Sequence, residues 1–244
     1  MNLFKNLIKT GREHIGIDIG SYSVKAAEIS REKDIIRIIN VGYAKVKKPG
    51  VAESMAEAVR EACAMAKTPE GTNVAVAIPG SSVVVRFIEL PHMTEDELKN
   101  AIIFEAEKYI PFGINEVITD YQLLIPHLGD NKMLVLLIAA KKDIINERLE
   151  LITQAGLSAR VLDVASLANV NSFLTATKRN KSEIAAVINI GAKATDISIV
   201  SEDVLYFTRS IQIGGDELTK SLAESFSINV KDAEELKINP KDKA

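Results

Sequence analysis

The stretch Gly16-Ile17-Asp18-Ile19-Gly20-Ser21-Tyr22-Ser23-Val24-Lys25-Ala26-Ala27-Glu28-Ile29-Ser30 decides how the chain is read. An apolar run ends in Asp18-Ile19-Gly20-Ser21, and a second alternating run begins with Val24, Ala26 and Ile29. This predicts a strand, a tight turn and a returning strand. Small residues at Gly20, Ser21 and Ser23 let backbone N–H groups approach a ligand closely, and Asp18 at the strand end offers a carboxylate to a hydrated metal ion. A phosphate with its magnesium suits that arrangement. Asp and Gly also favour turns for conformational reasons alone, so one hairpin of this kind decides little.

A second copy changes the weight. Val187 to Ser201 repeats the apolar, polar, apolar, Gly, small pattern, aligning Asn189 with Asp18, Gly191 with Gly20 and Ser201 with Ser30. Two such hairpins, one per half, predict a duplicated unit with a ligand held between its copies.

Outward from the first hairpin, Asp34 to Val46 reads as a third strand, broken by Pro49-Gly50. Val51 to Lys67 reads as a helix and Asn73 to Ile78 as a buried strand. After Pro79-Gly80-Ser81-Ser82, Val83 to Leu90 is a strand and Thr94 to Ile110 a helix opened by the capping box Thr94-Glu95-Asp96-Glu97. Strands follow at Val117 to Ile125 and Met133 to Ala140, a helix at Lys142 to Ala155 closed by Gly156, a strand at Arg160 to Val164 and a helix at Ala165 to Ala176. Beyond the second hairpin lie a strand from Val204 to Ile213, a helix opened by Gly214-Gly215, and another from Lys231 to Ile238. At the other end, Met1 to Lys9 sets Leu3, Phe4, Leu7 and Ile8 against Lys5, Lys9 and Arg12, a short amphipathic segment with two open readings, contact with a membrane surface or partner and docking on its own domain, the second being the one expected.

Composition excludes several classes. A 244-residue chain with 47% hydrophobic and 26% charged residues buries a sizeable core. A net charge of −3, no Trp and 5% aromatics argue against nucleic-acid binding. Cys63 is the single cysteine, so no internal disulfide forms. No apolar run approaches the roughly 18 residues of a spanning helix, which leads to an expected cytoplasmic location. His14, His92 and His127 are scattered, so serine-hydrolase and metalloenzyme readings rank low.

The paired hairpins resemble the phosphate-binding hairpins of the actin, sugar kinase and Hsp70 superfamily. Within it the chain is most similar to the PilM family of type IV pilus assembly proteins, relatives of the cell-division protein FtsA. Ile15 to Ser30, Val83 to Pro91, Ile103 to Phe112 and Gln212 to Thr219 carry the likeness, Phe104 to Phe112 most specifically. The resemblance implies an α/β, actin-like duplicated fold of ribonuclease-H-like domains with an inserted small α+β subdomain and an incomplete second half. The expected boundaries are 1–80 plus 160–185, 81–159 and 186–244.

By the same likeness the chain binds ATP and Mg2+. Asp18 orients the metal; Gly20, Ser21 and Ser23 hold the terminal phosphates; Gly191, Ala192 and Thr195 close from the other side; and Gly214 with Gly215 lines the cleft beside the sugar. Lys25 either pairs with phosphate or faces solvent, and Asp163 is the candidate to position an attacking water. The family's glycine-rich adenosine turn has no counterpart before Ala244, so the adenine pocket is expected to be incomplete and any ATPase weak. Asn189 stands where actin-like ATPases place an acid and offers the metal no charge. The implied partner is the cytoplasmic tail of an inner-membrane, PilN-like protein, held between the first domain and the insertion near Val83 to Phe87; self-association fits the superfamily. Two alternatives stay open: a nucleotide-free platform protein of a related secretion system, and a small-molecule kinase, for which the insertion shows no sugar-binding Asp base.

Overall fold

The computed structural model describes residues 13–32, 35–178, 180 and 182–240; the amphipathic reading of Met1 to Lys9 lies outside them. In chain order the first half builds β1 (Glu13–Ile19), β2 (Ser23–Glu32), β3 (Ile35–Lys45), α1 (Ala52–Met65) and β4 (Asn73–Ile78). A short 3-10 turn at Gly80–Ser82 leads to β5 (Val83–Pro91), α2 (Glu95–Glu107), β6 (Val117–Gly129), β7 (Lys132–Lys141) and α3 (Lys142–Gln154). The chain returns through β8 (Ser158–Val164) and α4 (Ala165–Ala176), then forms β9 (Ala185–Ile190), β10 (Thr195–Ser201), β11 (Val204–Ile211), α5 (Gly215–Phe226) and α6 (Val230–Ile238).

These strands make three sheets, ordered β3-β2-β1-β4-β8, β5-β7-β6 and β11-β10-β9. In the first, Ile15, Ile17 and Ile19 alternate onto one face, where Val24, Ala26, Val74 and Val76 join them beneath Val59 and Ala62 of α1 and Ile152 of α3. Burying each of these isoleucine and valine side chains stabilises by about 1.5–3 kcal/mol. Close approach of β3 to α1 requires glycine: a Cβ on Gly42 would stand 1.8 Å from the Ala62 carbonyl oxygen.

The inserted sheet packs one face on α2 through Ile88, Val135, Leu137, Leu98 and Ile102. Its other face meets α4 and the third sheet through Leu136, Leu167, Val170, Val200 and Leu205, so all three sheets converge on α4. The capping box forms as read, with the Glu97 N–H donating to Thr94 Oγ1 and the Thr94 N–H donating to Glu97 Oε2. The helix stops at Glu107, ahead of the expected Ile110. The Tyr109 and Ile110 N–H groups both turn onto the Ala106 carbonyl, because Pro111 disfavours helical backbone at the residue before it.

The two halves differ in cover. Ile17 and Ile19 are 3% and 4% exposed, whereas their counterparts Ile188 and Ile190 are 57% and 72% exposed. In the first half β4 takes the second edge of β1; among the described residues nothing takes that edge of β9. An uncovered apolar strand edge templates association.

Candidate functional site

The two hairpin turns are built alike. The Gly20 N–H donates to the Ser23 carbonyl at 3.1 Å, and the Gly191 N–H to the Ala194 carbonyl at 2.9 Å. A Cβ on either glycine would lie 2.9 Å from that same oxygen, so both turns demand glycine. Register repeats as well: Ile19 faces Val24 and Asp18 faces Lys25, as Ile190 faces Thr195 and Asn189 faces Asp196. The turn spends the Gly20 N–H and buries Ser23, which leaves the Ser21 and Tyr22 N–H groups outside its own hydrogen bonds.

Asp18 is half-exposed and holds Lys25 at 3.0 Å across the hairpin. This settles Lys25 on the carboxylate in the free chain, an exposed pair that contributes about 0–1 kcal/mol. Buried Arg148 of α3 reaches from behind, its guanidinium donating to the Ile19 carbonyl at 3.3 Å. Burial pushes its pKa down, while the charges of Glu147 and Asp18 oppose that shift.

Asp163 shares a sheet face with Asp18. Ile17 pairs with Val76 and Ala77 with Asp163, so one step past the first pair the two aspartates sit two strands apart, about 10 Å. Asp163 Oδ1 accepts from the Val164 N–H at 2.7 Å, while Oδ2 is sealed from solvent without a partner. Burial lifts this carboxyl to about 6, the Val164 hydrogen bond opposing.

The second turn is bolted to α5. The Gly215 N–H donates to Gly191 O at 2.9 Å and the Asp216 N–H to Ala192 O at 2.8 Å. A Cβ on Gly214 would stand 2.5 Å from the Ala192 oxygen, so Gly191, Ala192, Gly214 and Gly215 do come together. Thr195 is buried, and its hydroxyl donates to the Ile213 carbonyl at 2.7 Å. Valine there would leave that carbonyl without its donor and is expected to cost about 1–2 kcal/mol in urea unfolding; an unchanged midpoint refutes the contribution of this bond.

Contacts between the halves involve residues that sequence reasoning passed over. Asp196 forms a row with Asn189 and Ser210 across the third sheet and is buried, with Oδ1 unpartnered. That oxygen lies 2.9 Å from where a Cβ on Gly80 would stand, at the end of β4, with Ser166 Oγ of α4 3.4 Å from the same point. Lys237 of α6 donates to Gly215 O at 3.1 Å, Thr219 Oγ1 at 2.8 Å and Glu234 Oε2 at 2.6 Å. The Lys237 and Thr219 hydrogen bonds hold the Glu234 carboxyl below its ordinary value, and the charge of Lys45 on β3 adds to the shift. Lys45 is itself raised, first by its hydrogen bond with Tyr22, and its ammonium lies 5.4 Å from that ring's centroid. The i, i+3 spacing of Glu234 and Lys237 was the available signal.

A separate polar slot of about 190 Å³ opens beside Gly80, lined by Ser81, Val83, Val85, Ser166 and Ser210 among others. β5 and β11 are both edge strands, and they flank it. Phe87, in the stretch expected to line the partner groove, packs instead into the apolar junction on α4, because it alternates with Arg86 onto that face of β5.

The family model of the type IV pilus assembly protein PilM matches residues 16–242. This chain belongs to the PilM family. A solved PilM-PilN type IV pilus biogenesis complex contains a chain that superposes with TM-score 0.81 and 26% identity, over 93% of this chain and 70% of that one. FtsA of Streptococcus pneumoniae is 25% identical across 92% of this chain and 55% of its own length. FtsA of Enterococcus faecalis is 26% identical across 96% and 59%. The chain therefore spans a little over half the length of these curated relatives. EutJ from Carboxydothermus hydrogenoformans, at 16% identity and TM-score 0.53, shares the fold. The expected actin-like α/β class and the likeness to PilM and FtsA thus hold, and no helix among the described residues is long and apolar enough to cross a membrane.

Proposed function

We propose that this PilM-family chain is a cytoplasmic scaffold of type IV pilus assembly that receives the N-terminal tail of a PilN-like inner-membrane protein in the slot beside Gly80. The observation that carries this reading is the slot's position between two free strand edges, β5 and β11. An extended tail laid there gains main-chain hydrogen bonds from an edge strand, and side-chain pockets supply selectivity. The domain division at about 80 and 159, with the second half from 186, accompanies the proposal. It puts the slot where the three units meet.

The same reading has ATP and Mg2+ at the hairpin turns. The Ser21 and Tyr22 amides and the Ala192 turn would face phosphate, with Lys25 released from Asp18 to join them. Mg2+, when bound, would neutralise phosphate oxygens. Asp18 would hold it, and the sealed oxygens of Asp163 and Asp196 fit a nearby positive charge. Glu234 and Lys237, fixed against Gly215, would border the sugar. The closed Asp18–Lys25 pair and the neutral Asn189 favour the second reading, a scaffold that works without nucleotide.

Titration of the chain with a synthetic PilN-type tail peptide, followed by calorimetry, tests the first part. Saturable binding is expected, at least tenfold weaker for Ser210→Leu, which fills the slot. No binding by the parent chain overturns the proposal. A fluorescent ATP analogue with magnesium tests the second part: binding that Asp18→Ala abolishes supports it, and silence leaves the nucleotide-free scaffold.

A further inference from the structure

Two arginines meet at the slot beside Gly80. Arg86 of β5 and Arg209 of β11 both contribute to its lining, together with the hydroxyl residues Ser81, Ser166, Thr208 and Ser210, and no acid does. Neither arginine meets a carboxylate among the described residues: the Arg86 guanidinium donates to the neutral Val85 carbonyl at 3.0 Å, itself on the slot wall, and Arg209 has no bonded partner there. The strands that carry them are edge strands of two different sheets, so two uncompensated positive charges stand where two backbones can accept a third.

The opposing charge is single. Asp196, paired with Ser210 in the strand register, turns Oδ1 toward Gly80, sealed from solvent behind the wall. Two guanidiniums against one carboxylate leave one positive charge, which suits a carboxylate better than a doubly charged phosphate. Arginine's planar fork also matches a carboxylate through paired hydrogen bonds. Val83 and Val85 on the same wall offer apolar contact to the residues on either side of such a group.

We infer that the slot selects an acidic peptide, an extended segment whose Asp or Glu carboxylate is held between Arg86 and Arg209 while its backbone pairs with an edge strand. This rests on reading the slot as the seat of an extended tail, and it adds the chemistry that the slot recognises. Charge complementarity of this kind supplies specificity and makes binding sensitive to salt.

The test uses a fluorescein-labelled designed peptide, Thr-Val-Glu-Val-Thr, and its Gln analogue, with anisotropy as the readout. The Glu peptide is expected to bind about tenfold more tightly than the Gln peptide, and to lose that advantage in 1 M salt, where the Debye length falls to about 3 Å. Arg86→Ala and Arg209→Ala are each expected to weaken it about fivefold. Both side chains are exposed, so both variants should melt with the parent. Arg37→Ala removes an equally exposed charge from β3 and is expected to change nothing. Equal affinity for the two peptides, or no binding of the Glu peptide, overturns the inference. So does an equal loss in Arg37→Ala, which would make the effect one of net charge. Displacement of the peptide by inorganic phosphate but not by acetate at matched ionic strength would also overturn it, with a free oxyanion as the occupant. If the Glu peptide binds through both arginines and the PilN-type tail does not bind, the tail reading falls and the acidic-peptide site stands.

Discussion

Replacing Gly42 by alanine is expected to lower the thermal midpoint by about 6–12 °C, the largest stability loss of any single methyl added to this chain. The new Cβ would stand 1.8 Å from the Ala62 carbonyl oxygen, 2.8 Å from its carbon and 3.0 Å from the Ala66 nitrogen. All three are main-chain atoms of the α1 segment, so no rotamer change relieves the clash; the helix must lift off the sheet. Lifting it exposes Val59, Ala62 and Cys63, which are buried against β1, β2 and β4. Overpacking of this kind costs about 3 kcal/mol, and for a domain of this size each kcal/mol moves the midpoint by about 2–4 °C. Gly113→Ala serves as the control. Its φ is −61° and its Cβ would meet only the Glu116 side chain at 3.5 Å, so a change within about 0.5 kcal/mol is expected. Calorimetry of both variants decides the matter: equal midpoints would mean that β3 and α1 are not in contact as described.

Gly42 also shows where the sequence stopped being legible. It sits inside an apolar run that reads correctly as a strand, yet the reason for its glycine lies on a helix twenty residues away. Local pattern revealed both hairpins, the capping box and the Gly214-Gly215 corner, because each is written in neighbouring residues. Arg148 was missed for the opposite reason: a charged residue on a helix reads as solvated surface, and its acceptor is the Ile19 carbonyl at the far end of the chain. Asp196 drew no role from the sequence, because strand position alone does not show that the row Asn189, Asp196, Ser210 turns inward against Gly80. The inserted sheet was read as a subdomain beside the first domain. Its second face is apolar because it packs on α4 and the third sheet, a contact no local period announces.

Asp163→Asn is expected to stabilise the chain at pH 7.5 and to lose that advantage in acid. The carboxyl, ordinarily near 3.8, stands at about 6 in the folded chain because burial penalises its charge. The folded state therefore binds the proton more tightly than the unfolded state. Stability falls as pH rises from about 4 through 6 and is level above. The full penalty at neutral pH is bounded by about 3 kcal/mol, from 1.36 kcal/mol per unit. Asparagine keeps an oxygen for the Val164 N–H and places a neutral amide where Oδ2 has no partner, so the variant should unfold about 1–3 kcal/mol later in urea at pH 7.5. At pH 4 the two proteins should unfold together. A pH-independent gap would mean that the Asp163 charge is not the cause. The same substitution separates the two readings of the site. If Asp163 positions water for a bound nucleotide, any ATPase falls at least tenfold while the chain grows more stable, as expected for a residue held at a stability cost for function. If the scaffold works without nucleotide, stability rises and tail binding is untouched.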